Sequence, residues 1–157
     1  MVAKGTYTSD LSTDEKVLMA VIRAAEHFKR VHSGVFRNFG LSFPQYNVLR
    51  VLDASKKGQN KISDVSRIML VPGANITGIA KRLEKDGFIK KKSIPEDDRV
   101  TLLEITAKGK KTLQKIEEEK NQRLELMMKN LAKKEKAALL DMVKRILKNG
   151  MLLKKSL

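Results

Sequence analysis

Cysteine is absent from the chain, which removes disulfide frameworks, thiolate zinc sites, thiol nucleophiles and thiol-based redox sensing in one step. Histidine is scarce. His27 and His32 are the only two; five residues apart, they do not share a helical face, and no carboxylate cluster completes a site around them, so no metal is expected. Long apolar runs are also missing. The longest, Val17 to Ile22, is far too short to span a bilayer, and residues 1–12 carry no apolar signal-peptide core. A soluble, cytoplasmic protein with no membrane role is the expectation. Aromatic residues make up only 4%, and the basic C-terminal helices lack the aromatics that membrane-surface anchors favour. No Ser-His-acid set, phosphate-cradling glycine loop or metal-ligand cluster occurs, so neither an enzyme nor a cofactor is expected.

Acidic residues are outnumbered: 18 Asp and Glu face 33 Lys and Arg, giving a net charge of +15. Such an excess seeks a polyanion, nucleic acid before any other. With 157 residues, 41% of them hydrophobic, the chain is long enough for one cored domain, or one domain with an oligomerisation element. The excess is +3 over residues 1–56, +3 over 57–106 and +9 over 107–157. In the last third, however, bases alternate with acids as they do on solvated helix faces. The middle segment concentrates its charge in Lys90-Lys91-Lys92 and Arg99.

Periodicity divides the chain into helix, helix, helix, helix, hairpin, helix, helix. Leu18, Val21, Ala25, Phe28, His32, Val35 and Phe39 form a heptad-like stripe on one helix from Thr13 to about Phe39, capped by Ser12 or Thr13 and stopped at Gly40. Ser42 with Gln45 makes a capping box for a second helix carrying Val48, Leu49, Val51 and Leu52. A third runs from Ser63, its expected cap, to about Met69. Pro72 suits the first turn of a fourth, which buries Ile76, Ile79, Ala80 and Leu83 and ends near Asp86-Gly87. Residues 88–94 and 99–105 read as two strands joined by a turn at Pro95-Glu96-Asp97-Asp98. Thr106 caps a fifth helix through Leu113, Ile116, Leu124, Met127 and Leu131, interrupted by the polar Lys120. A sixth carries Leu139, Val143, Ile146 and Leu153 and is expected to break or fray near Asn149-Gly150.

Two short helices with a brief turn, followed by a hairpin, describe a winged helix-turn-helix. The class is mainly α with a small β-hairpin wing. In such a unit the second helix enters the major groove. Its outward residues here are Gly73, Ala74, Asn75, Thr77, Gly78 and Lys81, with Ser63 at the start of the preceding helix. Asn75 can donate and accept together, as adenine requires; Thr77 offers a hydroxyl or a methyl; Lys81 reaches a guanine or a phosphate. Lys90, Lys91 and Lys92 put charge on the wing, and Arg99, oriented by Asp98, suits a narrow minor groove. The plainer alternatives are a solvated helix face and an edge hairpin guarded by lysines. The long apolar stripes at both ends exceed what this small unit needs, which points to dimerisation.

The residues Val71-Pro72-Gly73-Ala74-Asn75-Ile76-Thr77, Arg82-Leu83-Glu84-Lys85-Asp86-Gly87-Phe88-Ile89, Pro95-Glu96-Asp97-Asp98-Arg99 and Ile105-Thr106-Ala107-Lys108-Gly109, in this order, resemble the multiple antibiotic resistance regulator (MarR) family. Leu41 to Leu49 looks like that family's second helix. The resemblance covers about residues 13 to 150. It implies a homodimeric winged-helix transcriptional regulator, usually a repressor, bound to pseudo-palindromic double-stranded DNA near promoters. It also implies three regions of one interlocked domain: an N-terminal dimerisation helix over 1–40, the winged helix-turn-helix over 41–106, and C-terminal dimerisation helices over 107–157. Two departures stand out: Gly78 and Val100 occupy positions where many members carry arginine.

Family members often release DNA on binding a small aromatic or phenolic acid between the DNA-binding lobe and the dimer helices. The candidate contacts for such an aromatic or anionic effector are His32, Phe36, Tyr46 and Arg50, for stacking, packing and anchoring an anion. Ordinary core packing and a surface ion pair are the competing reading of these four. For the whole chain the competing function is a non-specific architectural nucleic-acid-binding protein, which would use the same basic surface without reading bases.

Overall fold

The computed structural model describes residues 10–156 except 95 and 96, with no side chains described at 94–99 or 154–156. Residues 1–9, part of the segment searched for a signal peptide, lie outside the described residues, as do Pro95 and Glu96 of the expected turn.

Helix α1 spans Thr13–Asn38. Ser12, not Thr13, is its cap: the Ser12 hydroxyl accepts from the Glu15 N–H at 3.3 Å, and the Glu15 carboxylate accepts from the Ser12 N–H at 2.9 Å. Those bonds hold the Glu15 carboxyl below its usual range, the backbone N–H more than the hydroxyl. Of the stripe only His32 and Val35 are buried, with Phe36 beside them, while Val21, Phe28 and Phe39 are half-buried. Leu18 and Ala25 of the stripe are exposed, as are Val17 and Ile22 beside it. Gly40 takes a positive φ of 72°, and the Leu41 N–H returns to the Phe36 carbonyl at 3.0 Å to end the helix.

Helix α2, Phe43–Asp53, starts with the expected box: the Ser42 N–H donates to Gln45 Oε1 at 2.8 Å, and the Gln45 N–H to the Ser42 hydroxyl at 3.4 Å. Its Val48, Leu49 and Leu52 are fully buried. A strand then intervenes that the sequence did not announce. Strand β1, Gln59–Lys61, pairs antiparallel with β3, Asp97–Ile105, so the hairpin is part of a three-stranded sheet of order β1-β3-β2, where β2 is Ile89–Ile94. Asp97 and Asp98 lie within β3 by backbone, not in a turn, so the second strand begins two residues earlier than expected.

Helix α3, Ile62–Met69, begins before Ser63, and its cap residue is Lys61, with no side-chain cap bond. Helix α4, Gly73–Lys85, has Pro72 as its cap residue, just outside the first turn. The Thr106 hydroxyl caps α5, Ala107–Met127, by accepting from the Gly109 N–H at 3.1 Å. The single proton of that hydroxyl is shared between the carbonyls of Gly87 and Phe88, at 2.8 and 3.0 Å. A Cβ at Gly109 would stand 2.5 Å from the Phe88 carbonyl oxygen. Only glycine lets α5 start this close to the base of the hairpin.

The chain forms two compact units, one ending at Lys120 and one beginning at Asn121. The first holds one core: Phe36, Leu49 and Leu52 meet Val65, Ile76, Leu83, Leu103 and Ile116. In the second, α6 runs unbroken over Lys133–Ser156, so Asn149-Gly150 does not interrupt it. Its Val143 and Ile146 are half-buried, while Leu139, Leu140, Leu147, Leu152 and Leu153 are exposed.

Candidate nucleic-acid interface

The turn between α3 and α4 is fixed by local bonds. Leu70 adopts a left-handed φ of 56°, the Val71 N–H donates to the Ser66 carbonyl at 3.2 Å, and the Ser66 hydroxyl donates to the Val71 carbonyl at 2.6 Å. A left-handed leucine costs roughly 1–2 kcal/mol, offset here by these bonds and by the burial of α4. Ile76, Ile79, Ala80 and Leu83 all face the core, 8% exposed at most. Helical geometry then aims the other side of α4 at solvent.

That outer side presents Ala74, Asn75, Thr77, Lys81, Arg82 and Lys85 exposed, with Gly73 and Gly78 half-buried among them. Lys81, Arg82 and Lys85 form no ion pair among the described residues. Arg82 joins Asn75 and Gly78 in lining a cleft of about 350 Å³ against Ser42 and Pro44. A Cβ at Gly73 or Gly78 would meet nothing within 4 Å, so packing inside the chain does not require either glycine. The Thr77 hydroxyl donates to the Gly73 carbonyl at 3.1 Å. Its proton is committed, so towards solvent Thr77 offers lone pairs and a methyl group. Ser63 is exposed on the first turn of α3.

The three wing lysines do not act as one block. Lys91 Nζ lies 2.9 Å from Glu84 Oε2, and Lys92 pairs with Glu104 across the sheet. Lys90 is exposed without a salt bridge among the described residues, although its charge also reaches Glu104. Both carboxyls are held below their usual range, Glu84 chiefly by its bond from Lys91 and Glu104 chiefly by its bond from Lys92. The backbone of Asp98 and Arg99 belongs to β3; their side chains lie outside the described residues.

His32, Phe36 and Tyr46 are brought together. Phe36 stacks on Tyr46 with centroids 4.1 Å apart, and His32 lies 4.2 Å from Phe28. The His32 Nδ1–H donates to the Phe28 carbonyl at 2.9 Å, leaving Nε2 buried without a partner among the described residues. Arg50 stands apart from these rings, 3.5 Å from Glu117 and 3.7 Å from Asp53. A residue outside the four expected contacts joins them. Lys120 is buried, and its Nζ donates to the Tyr46 hydroxyl and to Glu117, each at 3.2 Å. The Glu117 carboxyl is consequently lowered, first by Lys120 and then by Arg50. The signal was present: Lys120 is the one polar residue interrupting the inward spacing of α5. No group of acids and histidines that could hold a metal occurs among the described residues, and no helix there is long and apolar enough to cross a membrane.

A helix-turn-helix with an exposed cationic second helix, closed by a small antiparallel sheet, is the architecture of a winged-helix transcriptional regulator. A family model described as "Transcriptional regulator SarA/Rot" matches residues 30–116. The chain belongs to this family of transcriptional regulators, and its fold is that of MarR family regulators. It is 33% identical over 113 residues to the HTH-type transcriptional regulator YfiV of Bacillus subtilis, spanning 70% of this chain and 69% of that protein. Its fold is similar to that of Sco3205, a MarR family regulator from Streptomyces coelicolor solved in complex with DNA. The TM-score is 0.77 at 19% identity, covering 93% of this chain and 92% of the other. It is similar also to the organohalide-sensing regulator RdhR in its 2,4-dichlorophenol-bound form, with a TM-score of 0.81 at 17% identity over 98% and 90% of the two chains.

Proposed function

We propose that this regulator is a cytoplasmic homodimer that binds pseudo-palindromic duplex DNA sequence-specifically, represses transcription, and is released by a small aromatic or anionic ligand. One observation carries the DNA reading. The core side of α4 is sealed, while its solvent side holds Asn75, Thr77, Lys81, Arg82 and Lys85 with no intramolecular ion pair among the described residues. Cations left without acidic partners are free to neutralise phosphates, and Asn75 beside them can read a base edge. Lys90, Arg99 and Asp98 add the wing contact, and Ser63, Gly73, Ala74 and Gly78 line the approach. The fold's likeness to a DNA-bound regulator supports the same reading.

Homodimerisation accounts for the exposed leucines of α6 and the exposed N-terminal half of α1. The expected division into dimerisation helices over 1–40 and 107–157 around a DNA-binding region over 41–106 belongs to this proposal. A dimer presents two α4 helices to major grooves about one helical turn, roughly 34 Å, apart. A ligand that prefers a dimer with another spacing then releases DNA. The aromatic cluster of His32, Phe36 and Tyr46, with Arg50 beyond it, is the place proposed for that ligand. A regulator of the same fold in a 2,4-dichlorophenol-bound form supports an aromatic ligand.

Capture of fragmented genomic DNA by the purified protein at near-physiological salt tests the proposal. A few sharp, two-fold-symmetric sites, preferred by roughly 10³ or more over random duplex, are the expected result. Even coverage would overturn specific regulation in favour of the architectural function.

A further inference from the structure

We propose that Glu84 is a positioning residue that fixes the wing strand against helix α4, and that Lys91 serves DNA binding through Glu84 rather than by touching phosphate. This inference rests on the DNA-binding reading above. One carboxylate makes two bonds: Oε1 accepts from the Lys91 backbone N–H at 3.3 Å, and Oε2 meets Lys91 Nζ at 2.9 Å. Strand β2 is an edge of the sheet. The N–H groups on its outer side have no strand partner, and Glu84 supplies an acceptor for one of them.

The pleat explains why Lys91 differs from its neighbours. Side chains alternate along a strand. Lys90 and Lys92 share the face on which Glu104 lies, with Lys90 directly opposite Glu104 in register. Lys91 points the other way, to α4, and only it is half-buried, while Lys90 and Lys92 are exposed. The lowered Glu84 carboxyl has Lys91 as its largest cause, in keeping with a standing contact. Glu84 is the second-to-last residue of the helix that carries Asn75, Thr77 and Lys81, so the clamp ties the groove-facing helix to the strand that carries Lys90. A half-exposed ion pair adds little to stability. Its consequence is the angle between two elements that must meet the same duplex together.

A charge-only view makes the opposite prediction. Glu84 is an anion beside a DNA-facing surface, so deleting it should tighten binding to any duplex. The test uses the strongest duplex retained in the genomic capture and a scrambled duplex of equal length, with full-length wild type, Glu84→Ala, Glu84→Gln, Lys91→Met and the double variant Glu84→Ala/Lys91→Met. Glu84→Ala is expected to lose about tenfold in affinity for the specific site and none for the scrambled duplex, with an unchanged melting temperature. Glu84→Gln, which keeps an acceptor for the Lys91 N–H, should recover part of the loss. Lys91→Met should weaken site binding without changing its salt dependence, and the double variant should lose no more than Glu84→Ala alone. Site affinity in Glu84→Ala equal to or above wild type would overturn the inference. So would a salt slope flattened by about one unit in Lys91→Met, the mark of a lost phosphate contact. Wild type that shows no preference between the two duplexes instead overturns the DNA-binding reading, and this inference with it.

Discussion

Gly78 is unusual among the residues of the outward face because it weakens the helix it belongs to. Glycine in a helix interior costs about 1 kcal/mol relative to alanine, and no neighbour within 4 Å forbids a Cβ here. Gly78→Ala should therefore raise stability by about 0.5–1 kcal/mol, measurable as a higher midpoint in urea. A lower midpoint would mean that the backbone at this position is not the relaxed helix described. If the glycine lets DNA approach closely, the same variant should bind its site more weakly despite being more stable. Thr77, one residue earlier, reads the surroundings differently from what its hydroxyl suggests. Having donated to Gly73, it can recognise only a donor or an apolar surface such as a thymine methyl.

Among the elements, those with a strong period or a paired cap were legible. The Ser42–Gln45 box defines α2, and its contribution can be measured. Ser42→Ala should cost about 1 kcal/mol in thermal or urea unfolding, and a neutral substitution would remove the hydroxyl bond to the Gln45 N–H from the account. The helix-turn-helix was legible for the same reason, since Ile76, Ile79, Ala80 and Leu83 leave one sealed face and hence one open face. Strand β1 was not. Gln59, Asn60 and Lys61 have no apolar alternation, and they are a strand only because β3 lies beside them. The Glu84–Lys91 clamp was equally hidden, because helix and strand spacing give each residue a face but not a partner. Ser63 was misplaced by two positions and Pro72 by one: a residue with capping chemistry fits several neighbouring positions, and tertiary packing selects among them. The continuity of α6 through Gly150 follows the same rule, because one glycine lowers helix propensity without terminating a helix. Of the ligand candidates, the three rings of His32, Phe36 and Tyr46 lie together, yet Lys120, which ties Tyr46 to Glu117, was visible only as an irregularity in a stripe.

At the scale of the whole molecule, the exposed apolar surface of α1 is the proposed dimer contact. Val17, Leu18 and Ile22 on α1 are about half exposed, and in the proposed dimer a second copy covers them. Leu18→Glu combined with Ile22→Glu should turn a dimer into a monomer in sedimentation velocity and weaken site binding severely, since each recognition helix then binds without its twin. A doubly substituted chain that still sediments as a dimer would move the interface away from this end of α1. The sheet has a consequence of another kind, in the order in which the chain is made. Gln59 pairs with Glu104, so β1 leaves the ribosome long before the strand that completes it. Until β3 emerges, α2, α3 and α4 lack Leu103 and Ile105, and their shared core has an open side. The nascent chain therefore closes its DNA-binding unit in one late step, when synthesis passes the end of β3, and the earlier helices depend until then on whatever shields them from aggregation.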